Sequence, residues 1–191
     1  PAYWLTGQLA RAAELGEQSL RHVDESGDVE LRASVRGDLG HVYVSSGAFD
    51  AALRLFDEAL KIGGDDPSIG MERVGLATQV WTRSRRGWAQ VEMGRLAIGR
   101  ADLDAGLRRA RELGQWEVAS WTRMFRVFAD EYAGHDPATG LVHARESLEH
   151  AERAGSPFAQ ATAYYTLGRA HLAAGDPHAA DPTCFAALLS S

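Results

Sequence analysis

The sequence predicts an all-α fold, a right-handed superhelix of about four to five helical hairpins, from three observations. A glycine closes an apolar helical pattern at Gly7, Gly47, Gly94, Gly134 and Gly175, at spacings of 40, 47, 40 and 41 residues. After each comes a second amphipathic stretch, as in Phe49, Ala52, Leu53, Phe56, Ala59 and Leu60, where apolar residues recur three and four apart. The chain also matches itself: WTRSRRGWAQVEMG from Trp81 and WTRMFRVFADEYAG from Trp121 share Trp, Thr, two Arg, Ala and the closing Gly at identical offsets.

Taken in order, the pattern places helices near 8–24, 28–46, 49–62, 69–93, 96–113, 115–133, 137–153, 156–174 and 178–189. They group into repeats of roughly 1–27, 28–66, 69–114, 115–155 and 156–191, within one repeat domain spanning 1–191. The internal prolines support these starts, since each follows Asp or Ser: Asp66-Pro67, Asp136-Pro137, Ser156-Pro157, Asp176-Pro177 and Asp181-Pro182. Asp or Ser caps a helix by accepting from a free backbone N–H, and proline suits the first helical position, where that donor is not needed. Asp181-Pro182 falls where the last hairpin's second helix should be running, so that helix is expected to start late, be short or be kinked. The chain begins at Pro1, inside an apparent helix, and reads as a segment of a larger protein.

The 191 residues are 45% hydrophobic and 24% charged, ordinary for a packed domain. A net charge of −6 gives no general attraction to nucleic acid or to anionic membranes, so neither is an expected partner. Cys184 is the only cysteine, which rules out an intrachain disulfide and paired-cysteine zinc sites and fits a cytoplasmic setting. The sequence has no asparagine, and its basic residues are one lysine, Lys61, and 19 arginines. A glycosylation sequon is therefore absent, and Lys61 lies in no phosphate-binding loop.

Leu39, Gly40, Tyr43, Gly47, Phe49, Ala52, Phe56 and Ala59 resemble the tetratricopeptide repeat consensus nearly in full. Tyr164, Leu167, Gly168, Gly175 and Ala180 resemble its first half, while Arg83, Arg86, Arg123 and Arg126 stand where the family carries apolar residues. More narrowly, RGWAQVEMGRL, RRARELG and HARESLEHAERAGSPFAQATAYYTLGRAHLAAGD are similar to the repeat region of bacterial ATPase-linked adenylate/guanylate cyclases and related regulators. The family resemblance implies stacked hairpins around a concave groove, with Gly40, Ala52, Ala59 and Gly168 letting helices approach closely. Chaperone-binding members capture a C-terminal carboxylate with lysines and asparagines; without asparagine, that activity does not carry over.

The sharpest candidate site is arginine-rich. At 100° per residue, Phe125, Phe128 and Tyr132 lie within about 40° of Trp121, while Arg123 and Arg126 lie roughly 200° and 140° away. Trp81 and Trp88 stand opposite Arg83 and Arg86 in the same way. Arg83, Arg86, Arg123 and Arg126 are thus expected on an outward face, lining a groove for an acidic peptide or an acidic domain surface, which Trp88 joins if its ring reaches that groove. The alternative is local pairing with Glu92, Asp130 or Glu131, which only solubilises the face. His143, Glu146 and His150 sit at i, i+3 and i+7 but have no third ligand helix, so no metal is expected. Cys184 reads as a small buried hydrophobe, and His171 as a hydrogen-bonded residue between helices. No nucleophile, base and orienting group share a recognisable spacing, so neither catalysis nor a cofactor is expected of this chain.

The function this supports is a protein–protein interaction scaffold, a regulatory repeat segment of a multidomain bacterial signalling protein. The alternatives are a self-associating structural module, making homo-oligomers, and a small-molecule sensor with a pocket between aromatic helices.

Overall fold

The computed structural model describes residues 6–180, apart from the side chains of Arg73 and Val74, and the described residues contain no strand. Its helices are α1 (Leu9–Ser26), α2 (Val29–Ser45), α3 (Phe49–Gly63), α4 (Met71–Val74), α5 (Thr78–Glu92), α6 (Leu96–Glu112), α7 (Trp116–Tyr132), α8 (Pro137–Ala154) and α9 (Pro157–Ala173). They fall into two compact units divided between Arg95 and Leu96, inside the stretch 69–114 that the sequence reads as one repeat. In the first unit α1 packs on α2, α2 on α3, and α5 on both α2 and α3. In the second, α7 packs on α6, α8 and α9, and α8 on α9.

The recurring glycines work through the backbone. Gly47, Gly94, Gly134 and Gly175 all take left-handed φ values, between 64° and 79°. The next residue then donates its N–H five positions back: Ala48 to Tyr43 at 2.8 Å, Arg95 to Gln90 at 2.9 Å, His135 to Asp130 and Asp176 to His171 at 3.0 Å. This closure satisfies carbonyls left open at the helix end, and it needs a residue without a Cβ penalty at positive φ.

The caps are mixed. Asp136 accepts from Ala138 N at 3.0 Å and Ser156 from Ala159 N at 3.2 Å, each with proline following at the helix start as expected. Asp28 caps α2 by accepting from Leu31 N at 3.0 Å. Asp66-Pro67 differs: Asp66 accepts from both the N–H and the hydroxyl of Ser68, closing a turn rather than opening a helix. Asp176 accepts from Ala179 N at 3.0 Å within a turn over 177–180. Asp181-Pro182, Cys184 and most of the expected helix 178–189 lie outside the described residues.

The expected single helix over 69–93 is two pieces. Gly70 and Gly75 take φ of +94° and +72°, which isolates the one-turn α4 between them. Thr78 N donates to Ile69 O at 2.8 Å and Gly70 N to the Glu30 carboxylate at 3.1 Å, so the connection folds back onto α2 before α5 begins. A Cβ on Gly70 would stand 2.4 Å from Leu76 O, which reserves the position for glycine.

Phe56 anchors the first unit, fully buried with Ala52, Leu53 and Ala89 and flanked by Tyr43, Val44, Phe49 and Met93. Burying such a ring contributes about 1.5–3 kcal/mol. Its seat is Gly40, where a Cβ would lie 2.5 Å from the ring edge, and Ala52 and Ala59 are buried as expected of close-approach positions. Gly168 holds the corresponding place in α9, yet among the described residues nothing lies within 4 Å of where its Cβ would stand.

Gly40→Ala is expected to destabilise the chain by about 1–2 kcal/mol, because overpacking against Phe56 exceeds the helix-propensity gain. Gly140→Ala, in open space within α8, should instead stabilise by up to about 1 kcal/mol. Urea unfolding of both variants checks this, and equal shifts would refute the packing role of Gly40.

Candidate functional site

The arginine-bearing faces of α5 and α7 belong to separate units. On α5, Arg83 and Trp88 are half-buried, and Arg86 reaches back to Asp57 on α3 at 2.8 Å. Its counterpart on α7, Arg126, reaches back in the same way to Asp104 on α6 at 2.6 Å, and to Asp130 on its own helix at 3.3 Å. Arg123 makes a close charge contact with Glu146 on α8.

The outward face expected of these arginines is not an open one. Phe125 and Phe128 are buried, as the wheel places them, but Arg123 keeps only 12% of its side chain exposed while Tyr132 is exposed. The reason is that α7 packs on three helices at once, so residues opposite its aromatic stripe also meet neighbours. Covered guanidinium groups then require carboxylates, and Arg86, Arg123 and Arg126 each have one on a helix packed against their own.

Asp130 is the hub of the second unit. Only 2% exposed, it accepts from Arg100, from Arg126 Nε at 3.3 Å and from one ring nitrogen of His143 at 2.9 Å, with His135 at 3.5 Å. Burial alone would raise its pKa. The hydrogen bonds from His143 and Arg100 and the charges of Arg126 and Arg100 outweigh burial and hold the carboxyl well below its usual range.

Two residues that sequence reasoning passed over, Arg85 and Arg111, matter here. Arg85 is buried, its guanidinium 3.8 Å from the Trp81 ring centroid and 3.3 Å from Asp38. Burial pulls its pKa down to about 9 against the opposing Asp38 charge, so it stays cationic at neutral pH. Arg111, at the end of α6, donates from Nε to His150 Nε2 at 3.2 Å and lies 3.8 Å from Glu146. His150 is 5% exposed and stacks on Trp116 with ring centroids 5.7 Å apart. The only local signal was the RRARE run, whose partners lie 35 and 39 residues on, beyond any helical spacing.

His143, Glu146 and His150, the triplet weighed as a metal face, are thus engaged separately with Asp130, Arg123 and Arg111. Among the described residues no cluster of three or more His, Cys, Asp or Glu could hold a metal ion. His171 is half-buried near the end of α9 and accepts the backbone bond from Asp176.

The tetratricopeptide repeat family model matches residues 2–63, which cover α1 to α3. That segment is similar to tetratricopeptide repeats. No curated protein matches it. Among solved structures, the crystal structure of BtubC (BKLC) from P. vanneervenii matches with a TM-score of 0.69 at 17% identity, over 99% of this chain and 78% of that one. At that identity the likeness is one of fold. Tetratricopeptide repeats mediate protein–protein interaction and are generally not catalytic. No helix among the described residues is long and apolar enough to cross a membrane.

His41, half-buried, and His150, buried, are expected to make the chain acid-sensitive. His41 is pushed down to about 2, by burial first and then by Arg85; His150 to about 4, by burial first and then by Arg111, Arg123 and Arg153. Below about pH 6.5 the unfolded chain protonates histidines that the folded chain keeps neutral. Stability is therefore expected to fall between about pH 6.5 and 4. Urea midpoints measured across that range check it: His41→Gln and His150→Gln should each flatten the slope, and an unchanged slope in the double variant would contradict the assignment.

Proposed function

We propose that this chain is a protein-interaction scaffold that binds an acidic peptide, or an acidic face of another domain, through Arg83, Arg86 and Trp88 of the first unit and Arg123 and Arg126 of the second. The observation that carries this reading is the repetition of an arginine pair at the same offsets from Trp81 and Trp121, in a chain whose net charge is −6. Arginine suits the task because its planar fork meets a carboxylate with two parallel hydrogen bonds. The tetratricopeptide match over residues 2–63 supports a binding rather than a catalytic role. The strings RGWAQVEMGRL and RRARELG support the finer setting: a cytoplasmic, regulatory repeat segment of a multidomain bacterial signalling protein whose catalytic parts lie elsewhere.

Self-association is a second reading, favoured by one observation. Phe158, Tyr165 and Leu172 are exposed on α9 at spacings of seven, which aligns them on one face. A sensor role has less support: the cavity beside Trp81, lined by Ser34, Asp38 and Thr82, holds about 20 Å³, room for a water molecule, and the larger space of about 380 Å³ beside Glu30, Ser68, Ile69, Met71 and Glu72 is a shallow surface hollow rather than a pocket between aromatic helices.

Fluorescein-labelled hexaglutamate is expected to bind the chain with an affinity that weakens steeply from low to physiological ionic strength. Replacing all four arginines by glutamine should weaken it by about tenfold or more, read by fluorescence anisotropy after circular dichroism has confirmed folding. Undiminished affinity would sink the arginine assignment. Light scattering across a dilution series tests the second reading, and a concentration-independent monomer disposes of it.

A further inference from the structure

Two guanidinium groups in the second unit converge on one oxygen. Glu146 Oε2, on α8, receives the close contact from Arg123 of α7 and lies 3.8 Å from Arg111 Nη2 of α6. Arg126, the next cation along α7, is already taken by Asp104 and Asp130. Counting this patch, Arg100, Arg111, Arg123 and Arg126 face Asp104, Asp130 and Glu146, which leaves one positive charge in excess.

The contact with Glu146 does not satisfy its partners. Arg123 Nε is buried and has no hydrogen-bond acceptor, and Glu146 Oε2 is buried without an aligned donor despite the proximity of Arg123. The two groups are held together by charge and not by the two-bond fork that a guanidinium and a carboxylate form when both are free to align. Helix α8 fixes the backbone of Glu146, and a carboxylate approaching from outside has no such restriction. The mouth of the site is open: Arg111 is 41% exposed and Glu146 32%, so the glutamate can swing outward without disturbing the core. Behind them His150 is 5% exposed and accepts from Arg111 Nε, which braces that arginine against Trp116 through the stacked ring.

We propose that Arg111 and Arg123 form a receptor for a single carboxylate side chain of a partner protein, and that Glu146 occupies it in the free chain as an internal stand-in. Glu146 is then a built-in competitor, which sets the affinity for acidic partners by the free energy of displacing it. The proposal rests on the acidic-partner reading above and adds to it a specific seat and a residue that opposes binding.

The test uses the full 191-residue chain and fluorescein-labelled hexaglutamate. Glu146→Gln is expected to tighten binding by about tenfold. Glu149→Gln, which removes the same charge from an exposed position one turn on, should change affinity by less than about twofold. Adding Arg111→Gln to Glu146→Gln should abolish the gain. Arg111→Gln alone, at a largely exposed side chain, should weaken wild-type binding several-fold, which keeps the proposal testable if Glu146→Gln does not fold. Equal affinities for Glu146→Gln and Glu149→Gln overturn the stand-in role while the acidic-partner reading survives. An absence of hexaglutamate binding in every variant overturns both.

Discussion

Helix α7 packs against three other helices at once, and the second unit is organised around that constraint. A helix enclosed on three sides has no broad solvent face, so every position must either be small or find a partner. Ala119, Ser120, Thr122 and Ala129 meet the first requirement and are fully buried. Ser120 and Ser147 meet the second, with the Ser147 hydroxyl donating to Ser120 O at 2.9 Å across the α7–α8 contact. Arg123, Arg126 and Asp130 meet it with charge. An unpaired guanidinium in such a place would cost several kcal/mol, so the arginines and their carboxylates have to be read as one system.

That system places a cluster of fixed charge at the centre of the second unit. The first unit does something similar on a smaller scale: Arg36 spans α2 to Asp24 at 2.8 Å and to Glu58 at 2.9 Å, and Arg85 lies between Trp81 and Asp38. The Arg111–Arg123–Glu146 group carries more cation than carboxylate, and its Arg111 is 41% exposed. A binding surface and a structural ion-pair network can be the same residues, distinguished by charge balance and access rather than by residue type.

Much of the fold was legible because its signals are local. Asp136-Pro137 and Ser156-Pro157 begin helices since cap and first turn involve residues within three positions of each other. The closing glycines were legible for the same reason, each reporting a five-residue backbone closure. Where two local signals compete, the sequence was less decisive. Gly70 and Gly75 bracket a stretch with helical periodicity, and a bond from Thr78 to Ile69 together with the reach of Gly70 to Glu30, forty residues earlier, breaks the helix there. Asp66-Pro67 has the composition of a helix start, but its aspartate is used by Ser68.

The sequence by itself determined where most of the helices run, how hairpins close and that arginines recur beside tryptophans, because each follows from neighbours a few residues apart. Only the tertiary structure decided which arginines are covered and by what. Asp57, Asp104 and Glu146 lie 22 to 29 residues from the arginines they pair with, and His150 lies 39 from Arg111. No periodicity of a single helix encodes those distances. They are set by how α6, α7 and α8 pack, and α3 with α5, which also decides whether a face that is polar on the wheel meets water or another helix.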